Sequence, residues 1–254
     1  MSELHLTIVD GPNIVRRLFE ARRRQGNETS GEDAAGAIES RVRRVSASHG
    51  LVAWDCPGDT WRNELLPRYK ADRVETPEAF RTLERETHAE LEARGLRVVS
   101  RDGYEADDII ASAVKTLAGH RIGLSVVSSD KDLLSLTQFD GVRVYHPWDH
   151  EFIDRDLFVD RWGFSPDRLT DYLALAGDTS DGIPGARGIG PKTATRLLSE
   201  FGGLDAIASQ LEAIEGSVGR KLREDWQSVE VSHKVARLDM SLSLGLKLSD
   251  LRFV

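Results

Sequence analysis

The first two-thirds of the chain alternates short apolar runs with longer segments whose apolar residues recur at helical spacing. Buried strands are predicted for HLTIVD, LVAWD, GLRVVSRDG and RIGLSVVSSD, and helices for NIVRRLFEARRR, AAGAIESRVRRVSASHG and ADDIIASAVKTLAGH. The polar, glycine-bearing stretch QGNETSGED at 25–33 is typical of a loop. Because strand and helix alternate, we predict an α/β fold with a mostly parallel central sheet flanked by helices on both faces.

The pattern changes near residue 165, where the strand signals fade. Helices are predicted from there onward for SPDRLTDYLALAG, GPKTATRLLSEFG, LDAIASQLEAI and SVEVSHKVARLDM. We therefore expect an α/β domain at 1–164 and a helical subdomain at 165–254.

Composition narrows the class of protein. The 254 residues are 40% hydrophobic and 30% charged, as in globular proteins. No apolar run approaches the roughly 20 residues that span a bilayer. Cys56 is the only cysteine, so we expect a cytoplasmic protein without disulfides or membrane contact. The net charge of −8 argues against coating of nucleic acid by bulk charge, unless many acids are gathered at a metal site.

Carboxylates stand at the ends of the predicted strands. HLTIVD ends at Asp10, GLVAWD at Asp55 and GLSVVSSD at Asp130, and the carboxyl ends of parallel strands meet at one edge. Further acids in GYEADD, SSDKDL and GDTSDG are Glu105, Asp107, Asp108, Asp132, Asp178 and Asp181. Gathered carboxylates repel one another, and Mg²⁺, which binds oxygen ligands, would relieve that repulsion. The alternative for any single acid is a helix N-cap or a charge that complements a helix dipole.

The segment GARGIGPKTATRLL predicts a phosphate-binding hairpin at the start of a helix. Gly188 and Gly190 permit a tight turn and the close approach of a ligand, and Pro191 suits the first helical turn. The N–H groups of residues 189–193 are then expected to face an anion, with Lys192 adding positive charge. A plain helix–loop–helix corner or a mononucleotide site is the alternative.

Taken in order, these motifs resemble the structure-specific 5′-nuclease family, which includes flap endonucleases and the 5′-nuclease domain of bacterial DNA polymerase I. The matches are IVDGPN, AWD, RYKADR, GYEADD, SSDKDL and GDTSDGIPGARGIGPKTA, and they cover nearly the whole chain. The last of them resembles the helix–three-turn–helix motif of the family. The short length resembles the stand-alone bacterial exonuclease IX type. The resemblance implies a PIN-like 5′-nuclease core, with an arch region at 62–95 that gates single strands.

The resemblance also implies roles for individual residues. The first of two Mg²⁺ positions, which Mn²⁺ would also fill, is expected to be lined by Asp10, Asp55, Glu105, Asp107 and Asp108. The second is expected to use Asp130, Asp132, Asp178 and Asp181. The residues expected to act on the phosphate are Lys70, Arg73 and Asp108. A K⁺ ion is expected on the backbone carbonyls of Leu175, Ala176, Pro184, Ala186 and Ile189.

DNA contacts are expected from two parts of the chain. The hairpin would hold duplex phosphates, without reading base sequence, through Gly188, Ile189, Gly190, Pro191, Lys192 and Thr193. A basic stripe after the first strand includes Arg16 and Arg17, for which a solvated helix face is the alternative. The implied partner is a 5′-flap or branched DNA duplex, bound by a monomer.

The sequence therefore predicts a metal-dependent 5′–3′ structure-specific DNA nuclease for replication or repair, and leaves endonuclease or exonuclease action open. One alternative is a PIN-like ribonuclease, which would not need the helix–three-turn–helix motif. The other is a catalytically weak protein that binds branched DNA, although such a protein gains nothing from carboxylates that repel phosphate. Cleavage of flap DNA, compared with cleavage of single-stranded RNA, separates these hypotheses.

Overall fold

The computed structural model describes residues 4–45, 48–73 and 76–253. The strands within these ranges are β1 (His5–Asp10), β2 (His49–Ala53), β3 (Arg97–Val99), β4 (Gly123–Val127), β5 (Val142–His146) and β6 (Glu151–Ile153). They form one sheet in the spatial order β3-β2-β1-β4-β5-β6. All neighbouring strands are parallel except β6, which pairs antiparallel with β5. The prediction of a mostly parallel sheet is confirmed.

The helices of the described ranges follow in chain order. They are α1 (Gly11–Arg24), α2 (Gly31–Arg44), α3 (Trp61–Leu65), α4 (Glu78–Ala93), α5 (Ala106–Leu117), α6 (Arg155–Trp162), α7 (Leu169–Ala176), α8 (Pro191–Phe201), α9 (Leu204–Ser209) and α10 (Gly216–Ala236). Short 3₁₀ turns cover Asp132–Gln138, Pro166–Arg168, Thr179–Asp181, Leu211–Ala213 and Leu248–Leu251. In this part of the chain, no helix is both long and apolar enough to cross a membrane.

The chain divides into two compact units, and neither is continuous in sequence. The first comprises Met1–Gly58, Val74–Asp154 and Leu238–Val254, and the second comprises Asp59–Arg73 and Arg155–Arg237. The predicted arch at 62–95 falls partly in each unit. The end of the chain belongs with the α/β unit, whereas the linear division at 164/165 groups it with the helical segment.

The first unit buries its core on both sides of the sheet. On one side α1, α2 and α4 cover an apolar cluster in which Val9, Val52 and Val127 are fully buried. Helix α5, with Ile109 and Ile110 fully buried, packs against β1 and β2 outside that cluster. The sheet is therefore flanked by helices, as the alternation of apolar segments predicted.

Three local predictions need correction. The predicted loop at 25–33 is shorter, because Ser30 caps α2 and forms a capping box with Asp33, so that the helix begins at Gly31. The helix predicted to run to Gly50 ends at Arg44, and β2 begins earlier than predicted, since His49 pairs in register with Leu6. The hairpin of β5 and β6 was not predicted.

Candidate active site

Asp10 is the buried carboxylate at the carboxyl end of β1. It pairs in register with Ala53 of β2 and is 4% exposed. Its Oδ1 accepts the Asn13 N–H at 3.2 Å, which caps α1, and its Oδ2 accepts the Ser128 hydroxyl at 2.6 Å. Two directional bonds therefore hold the carboxylate in position.

The environment of Asp10 is strongly anionic. Burial raises the pKa of Asp10 to about 7, the charges of Asp130 and Asp55 add to the rise, and the bonds from Ser128 and Asn13 oppose it. A divalent cation with oxygen ligands would stabilise the charged carboxylates, so these residues fit a metal by charge and ligand type. Within the described ranges, no three His, Cys, Asp or Glu side chains are gathered closely enough to hold an ion.

Asp55 and the acids of GYEADD meet at the start of α5. Asp55 Oδ1 accepts the Ala106 N–H at 2.9 Å, Glu105 is the N-cap residue, and Asp107 lies in the first turn. Acidic groups at this position also complement the helix dipole. The structure thus brings Asp55 to the start of the helix that carries Glu105 and Asp107. Asp55 and Glu105 cap this helix, as the alternative interpretation of the acids predicted.

Asp108, predicted as both a metal ligand and a catalytic residue, is fully buried. Its Oδ1 accepts the Asp239 N–H at 2.8 Å and its Oδ2 accepts the Glu105 N–H at 3.4 Å. Replacing Asp108 with alanine would leave these two N–H groups without that acceptor, which is destabilising in a buried site. Asp108 therefore has a structural role as well, and its catalytic role stays a prediction.

Ser128 and Asn13 connect the ends of β1 and β4, and sequence reasoning missed both. The Ser128 hydroxyl bonds Asp10 and also accepts the Asp130 N–H at 2.9 Å, while Asn13 Oδ1 accepts the Ser129 N–H at 3.1 Å. Asp130 Oδ1 in turn accepts the Asp132 N–H at 2.9 Å. The structure therefore links Asp10, Asp130 and Asp132 in one hydrogen-bonded chain. The sequence did contain a clue to Ser128 and Asn13, because polar residues flank the strand-end acids in DGPN and SSD.

A cavity of about 740 Å³ opens beside Asp55 in the first unit. Its lining includes Arg16, Arg81, Arg85, Trp54, Glu84 and His88. Burial raises the pKa of Glu84 above its usual range and Asp55 adds to the rise, although Arg16 and a bond from Trp54 oppose it. Arg17 is not part of the lining, and its guanidinium lies 5.1 Å from the ring centroid of Trp148. Arg16 thus lies in the same lining as Glu84, a proximity that the sequence did not indicate, and its DNA contact stays a prediction.

Lys70 and Arg73 both face Asp181 in the second unit. Arg73 Nη2 donates to Asp181 Oδ1 at 2.8 Å, and Lys70 Nζ lies 3.9 Å from Oδ2. The Lys70 N–H donates to the Asp181 carbonyl at 3.0 Å, and Lys70 has a left-handed φ of 54°. Two cations therefore already compensate the charge of Asp181, which the sequence assigned to a metal.

Asp178 caps the turn that leads to Asp181. Its Oδ1 accepts the Ser180 N–H at 2.9 Å and the Ser180 hydroxyl at 2.6 Å, and its backbone exchanges two hydrogen bonds with Ile183. The hydrogen bonds with Ser180 and with Ile183 all lie within the second unit, and they stabilise a local turn. The metal-binding roles of Asp178 and Asp181 stay predictions.

The GARGIGPK hairpin has the predicted turn but fewer available donors. Gly188 has a left-handed φ of 75°, whereas Gly190, the N-cap residue of α8, is extended. The Ile189 N–H donates to the Ala186 carbonyl and the Thr193 N–H donates to the Gly190 carbonyl, both at 3.0 Å. The expectation that all N–H groups of 189–193 face a ligand is therefore wrong. Among the described residues, the N–H groups of Gly190 and Lys192 have no backbone acceptor.

The five carbonyls predicted to bind K⁺ lie around the same hairpin. Those of Leu175 and Ala186 accept backbone hydrogen bonds at 3.0 Å from Ala186 and Ile189, respectively. A carbonyl oxygen has a second lone pair for a cation. The K⁺ site stays a prediction.

Comparisons with known proteins give matches that cover nearly the whole chain. Two family models match it: 5′-3′ exonuclease, N-terminal resolvase-like domain, over residues 5–163, and 5′-3′ exonuclease, C-terminal SAM fold, over residues 164–254. A protein named flap endonuclease Xni from Shewanella amazonensis is 36% identical over 251 residues, which make up 97% of either chain. One of the same name from Edwardsiella ictaluri is 33% identical over 253 residues, 98% of this chain and 97% of that one. In fold, the chain is similar to the T5 5′-exonuclease with bound divalent metal ions (zinc), with a TM-score of 0.78, 23% identity, and coverage of 92% of this chain and 90% of that one.

Proposed function

The chain belongs to the 5′-3′ exonuclease family, and from that premise we propose its function. It is a structure-specific nuclease that hydrolyses DNA phosphodiester bonds near 5′ flaps or 5′ ends. The observation that carries this proposal is the buried Asp10 at the carboxyl end of β1, with Asp55 and Asp130 close enough to raise its pKa. The two relatives named flap endonuclease support the same substrate class.

The proposed metal is Mg²⁺, with Mn²⁺ as its substitute, because carboxylate oxygens suit these hard ions. Asp10, Asp55 and Asp130 would hold it in the first unit, supported by Glu105 and Asp107 at the start of α5. When bound, two such ions would supply a site that lowers the pKa of a water molecule and compensates negative charge on the leaving oxygen of a phosphodiester. The second metal position and K⁺ on the hairpin carbonyls belong to the same proposal.

The chain's own residues orient these groups and attract the substrate. Ser128 and Asn13 hold the Asp10 carboxylate, so that it is already in place when substrate arrives. The cavity beside Asp55 has a volume of about 740 Å³, which suits a nucleotide-sized group, since ligand pockets measure roughly 300–1,000 Å³. Arg16, Arg81 and Arg85 in its lining favour phosphate.

In the second unit, two segments would contact the DNA: the one that carries Lys70 and Arg73, and the hairpin. Lys70 and Arg73 are the candidates for stabilising charge on the phosphate, and Asp181 sets their positions. The hairpin holds duplex phosphates through the N–H groups of Gly190 and Lys192 and the Lys192 ammonium. We further propose that the protein acts as a monomer in the cytoplasm.

Asp10→Asn tests the proposal directly. The variant keeps the shape of the side chain but removes the buried negative charge. Mg²⁺-dependent cleavage of a 5′-flap duplex is expected to fall by more than about a hundredfold, since even residues that only orient metal ligands are worth about 10- to 100-fold. Cleavage is measured on a labelled flap oligonucleotide, with Asp149→Asn, an exposed position, as the matched control.

Undiminished cleavage by Asp10→Asn would rule out the metal assignment. The same flap sequence, offered as single-stranded RNA, addresses the ribonuclease alternative. Faster cleavage of the RNA than of flap DNA would overturn the choice of DNA as substrate. Binding of flap DNA without turnover in any divalent metal would favour the binding protein.

A further inference from the structure

One side of α10 is bonded to the backbone of the hairpin loop. Lys221 Nζ donates to the Gly188 carbonyl at 3.1 Å, and the Ser228 hydroxyl donates to the Gly185 carbonyl at 2.9 Å. The Gly185 N–H donates to Ser232 Oγ at 3.0 Å. Ser232 is fully buried, so this last bond is shielded from water.

Asp225 lies between these residues and makes the densest set of contacts. It accepts the Arg187 N–H at 2.7 Å and the Arg187 guanidinium at 2.9 Å. After Asp225, Ser228 and Ser232 are four residues apart and lie on the same side of the helix. The dihedral angles of Asp225 are non-helical, with φ −112° and ψ 15°, so α10 is kinked at the residue that binds Arg187.

The loop needs such support because two of its glycines have positive φ angles. In an unfolded chain, glycine adopts these angles and many others, so the loop sequence alone does not select one conformation. Gly185 and Gly188 have positive φ angles of 61° and 75°. A Cβ on Gly185 would lie 2.4 Å from the Gly177 nitrogen, so no larger residue fits there. Glycine loses more conformational freedom on ordering than any other residue. Bonds from α10 therefore supply order that the loop sequence itself lacks.

We propose that Lys221, Asp225, Ser228 and Ser232 are positioning residues that hold the hairpin in its DNA-binding shape before DNA arrives. The inference rests on the proposed function, in which the hairpin holds duplex phosphates. Ordering the loop in advance removes an entropic penalty from binding, so these residues strengthen DNA affinity without touching the substrate. Such an effect is equal in the ground state and the transition state, and it leaves kcat unchanged.

Asp225→Ala is the decisive variant. It removes the acceptor for Arg187, and the Kd for a 5′-flap duplex, measured by fluorescence anisotropy in EDTA, is expected to rise about two- to fivefold, as for the loss of an ion pair with an exposed partner. Hydrogen exchange at the Arg187 amide should become faster, and kcat at saturating DNA should stay at the wild-type value. Asp225→Asn, which keeps an acceptor oxygen, should recover most of the affinity.

Charge alone would act in the opposite direction. Removing an acidic residue from a DNA-binding protein strengthens binding to phosphates, so weaker binding of Asp225→Ala identifies positioning. Glu230→Ala removes one negative charge from an exposed position of α10 and serves as the matched control. Its Kd should be no weaker than that of the wild type.

The outcomes separate this inference from the proposed function. Unchanged Kd together with unchanged exchange at Arg187 overturns the positioning role, as does a loss confined to kcat. If Lys192→Ala also leaves Kd unchanged, the hairpin itself is not the DNA contact, and that part of the proposed function fails. If Asp225→Ala does not fold by circular dichroism, Ser228→Ala takes its place, with exchange followed at loop amides.

Discussion

Ser128 shows how much of this site depends on a single hydroxyl group. It donates to Asp10 at 2.6 Å and accepts the Asp130 N–H at 2.9 Å, and it is 1% exposed. A serine in this position holds two strand-end carboxylate residues in a defined relation without adding charge. Loss of a residue that orients a metal-binding side chain typically costs about 10- to 100-fold in metal affinity or activity.

Ser128→Ala should reduce flap cleavage about 10- to 100-fold, with a higher Mg²⁺ concentration needed for half-maximal activity. The reason is that Asp10 loses its shortest hydrogen bond and rotates more freely. A Mg²⁺ titration of initial cleavage rates measures the effect, and Ser209→Ala, at an exposed position, is the control. An unchanged Mg²⁺ dependence would contradict the role given to Ser128.

At this scale, the strand-end rule predicted Asp10 and Asp55 because an acid after an apolar run is visible in sequence. Ser128 and Asn13 could not be identified, since a polar residue beside such an acid is equally common in a simple turn. The burial of Asp108 was also hidden, because its second partner, Asp239, lies far away along the chain. Long-range hydrogen bonds have no local signature.

Among the helices of the second unit, α7 and α9 are tied together by one buried carboxylate. Asp171 of α7 accepts the Leu204 N–H at 3.0 Å and lies 3.1 Å from His233 Nε2 of α10. Burial alone would raise the pKa of Asp171, but the bonds from His233 and Leu204 and the charge of Arg168 outweigh it and hold the pKa below its usual range.

Asp171→Asn should lower the free energy of unfolding at pH 7 by about 1.5–3 kcal/mol, the range for hydrogen bonds to a charged group. Because the folded pKa is depressed, this stabilisation is present above the usual carboxyl pKa of about 4 and is lost as pH falls through the folded value. Urea unfolding at pH 7 and pH 3 should therefore show a wild-type advantage that shrinks in acid. Asp205→Asn, at an exposed position of α9, should show no such difference.

The ends of helices were predicted well where the apolar spacing was regular. The predictions failed where a capping residue sets the end of the helix. Helices α5 and α8 lie close to their predicted ranges because their apolar spacing is regular. The start of α2 depends on the Ser30 and Asp33 capping box, which the loop interpretation overlooked. The β5 segment VRVYH is too short for its alternation to outweigh the turn residues around it.

For the molecule as a whole, DNA binding must work against a net charge of −8. Local donors such as the hairpin therefore matter more than bulk attraction. Lys192→Ala should weaken binding by a similar factor for all duplex sequences and lower the salt slope of log Kd by about one. Anisotropy titrations at several salt concentrations measure this slope, with Lys234→Ala, an exposed lysine of α10, as control. Sequence-dependent losses would contradict a phosphate contact.

The discontinuous units are the feature of the whole molecule that sequence could not provide. The alternation of strand and helix patterns predicts a sheet and its covering helices. It does not predict that the segment after Arg237 packs with the first unit. Within residues 238–253, serine and leucine alternate at 241–244, and the segment pairs with a strand only through the isolated bridge of Arg252 with His49. Its place is set by bonds to residues more than a hundred positions earlier, such as that of the Leu242 N–H to Ser112 at 3.1 Å.

The return of residues 238–253 to the first unit affects the order in which the two units can be completed during synthesis. The Phe253 N–H donates to the Ser48 carbonyl at 3.1 Å, and the Asp239 N–H donates to Asp108. During synthesis, strands β1 to β6 are made long before either donor exists. The residues of the second unit at 155–237 are also made before these two donors. The first unit is therefore completed by residues that are synthesised after the second unit, and a nascent chain stalled at Arg237 carries an acid-rich sheet edge with Asp108 lacking its native Asp239 donor.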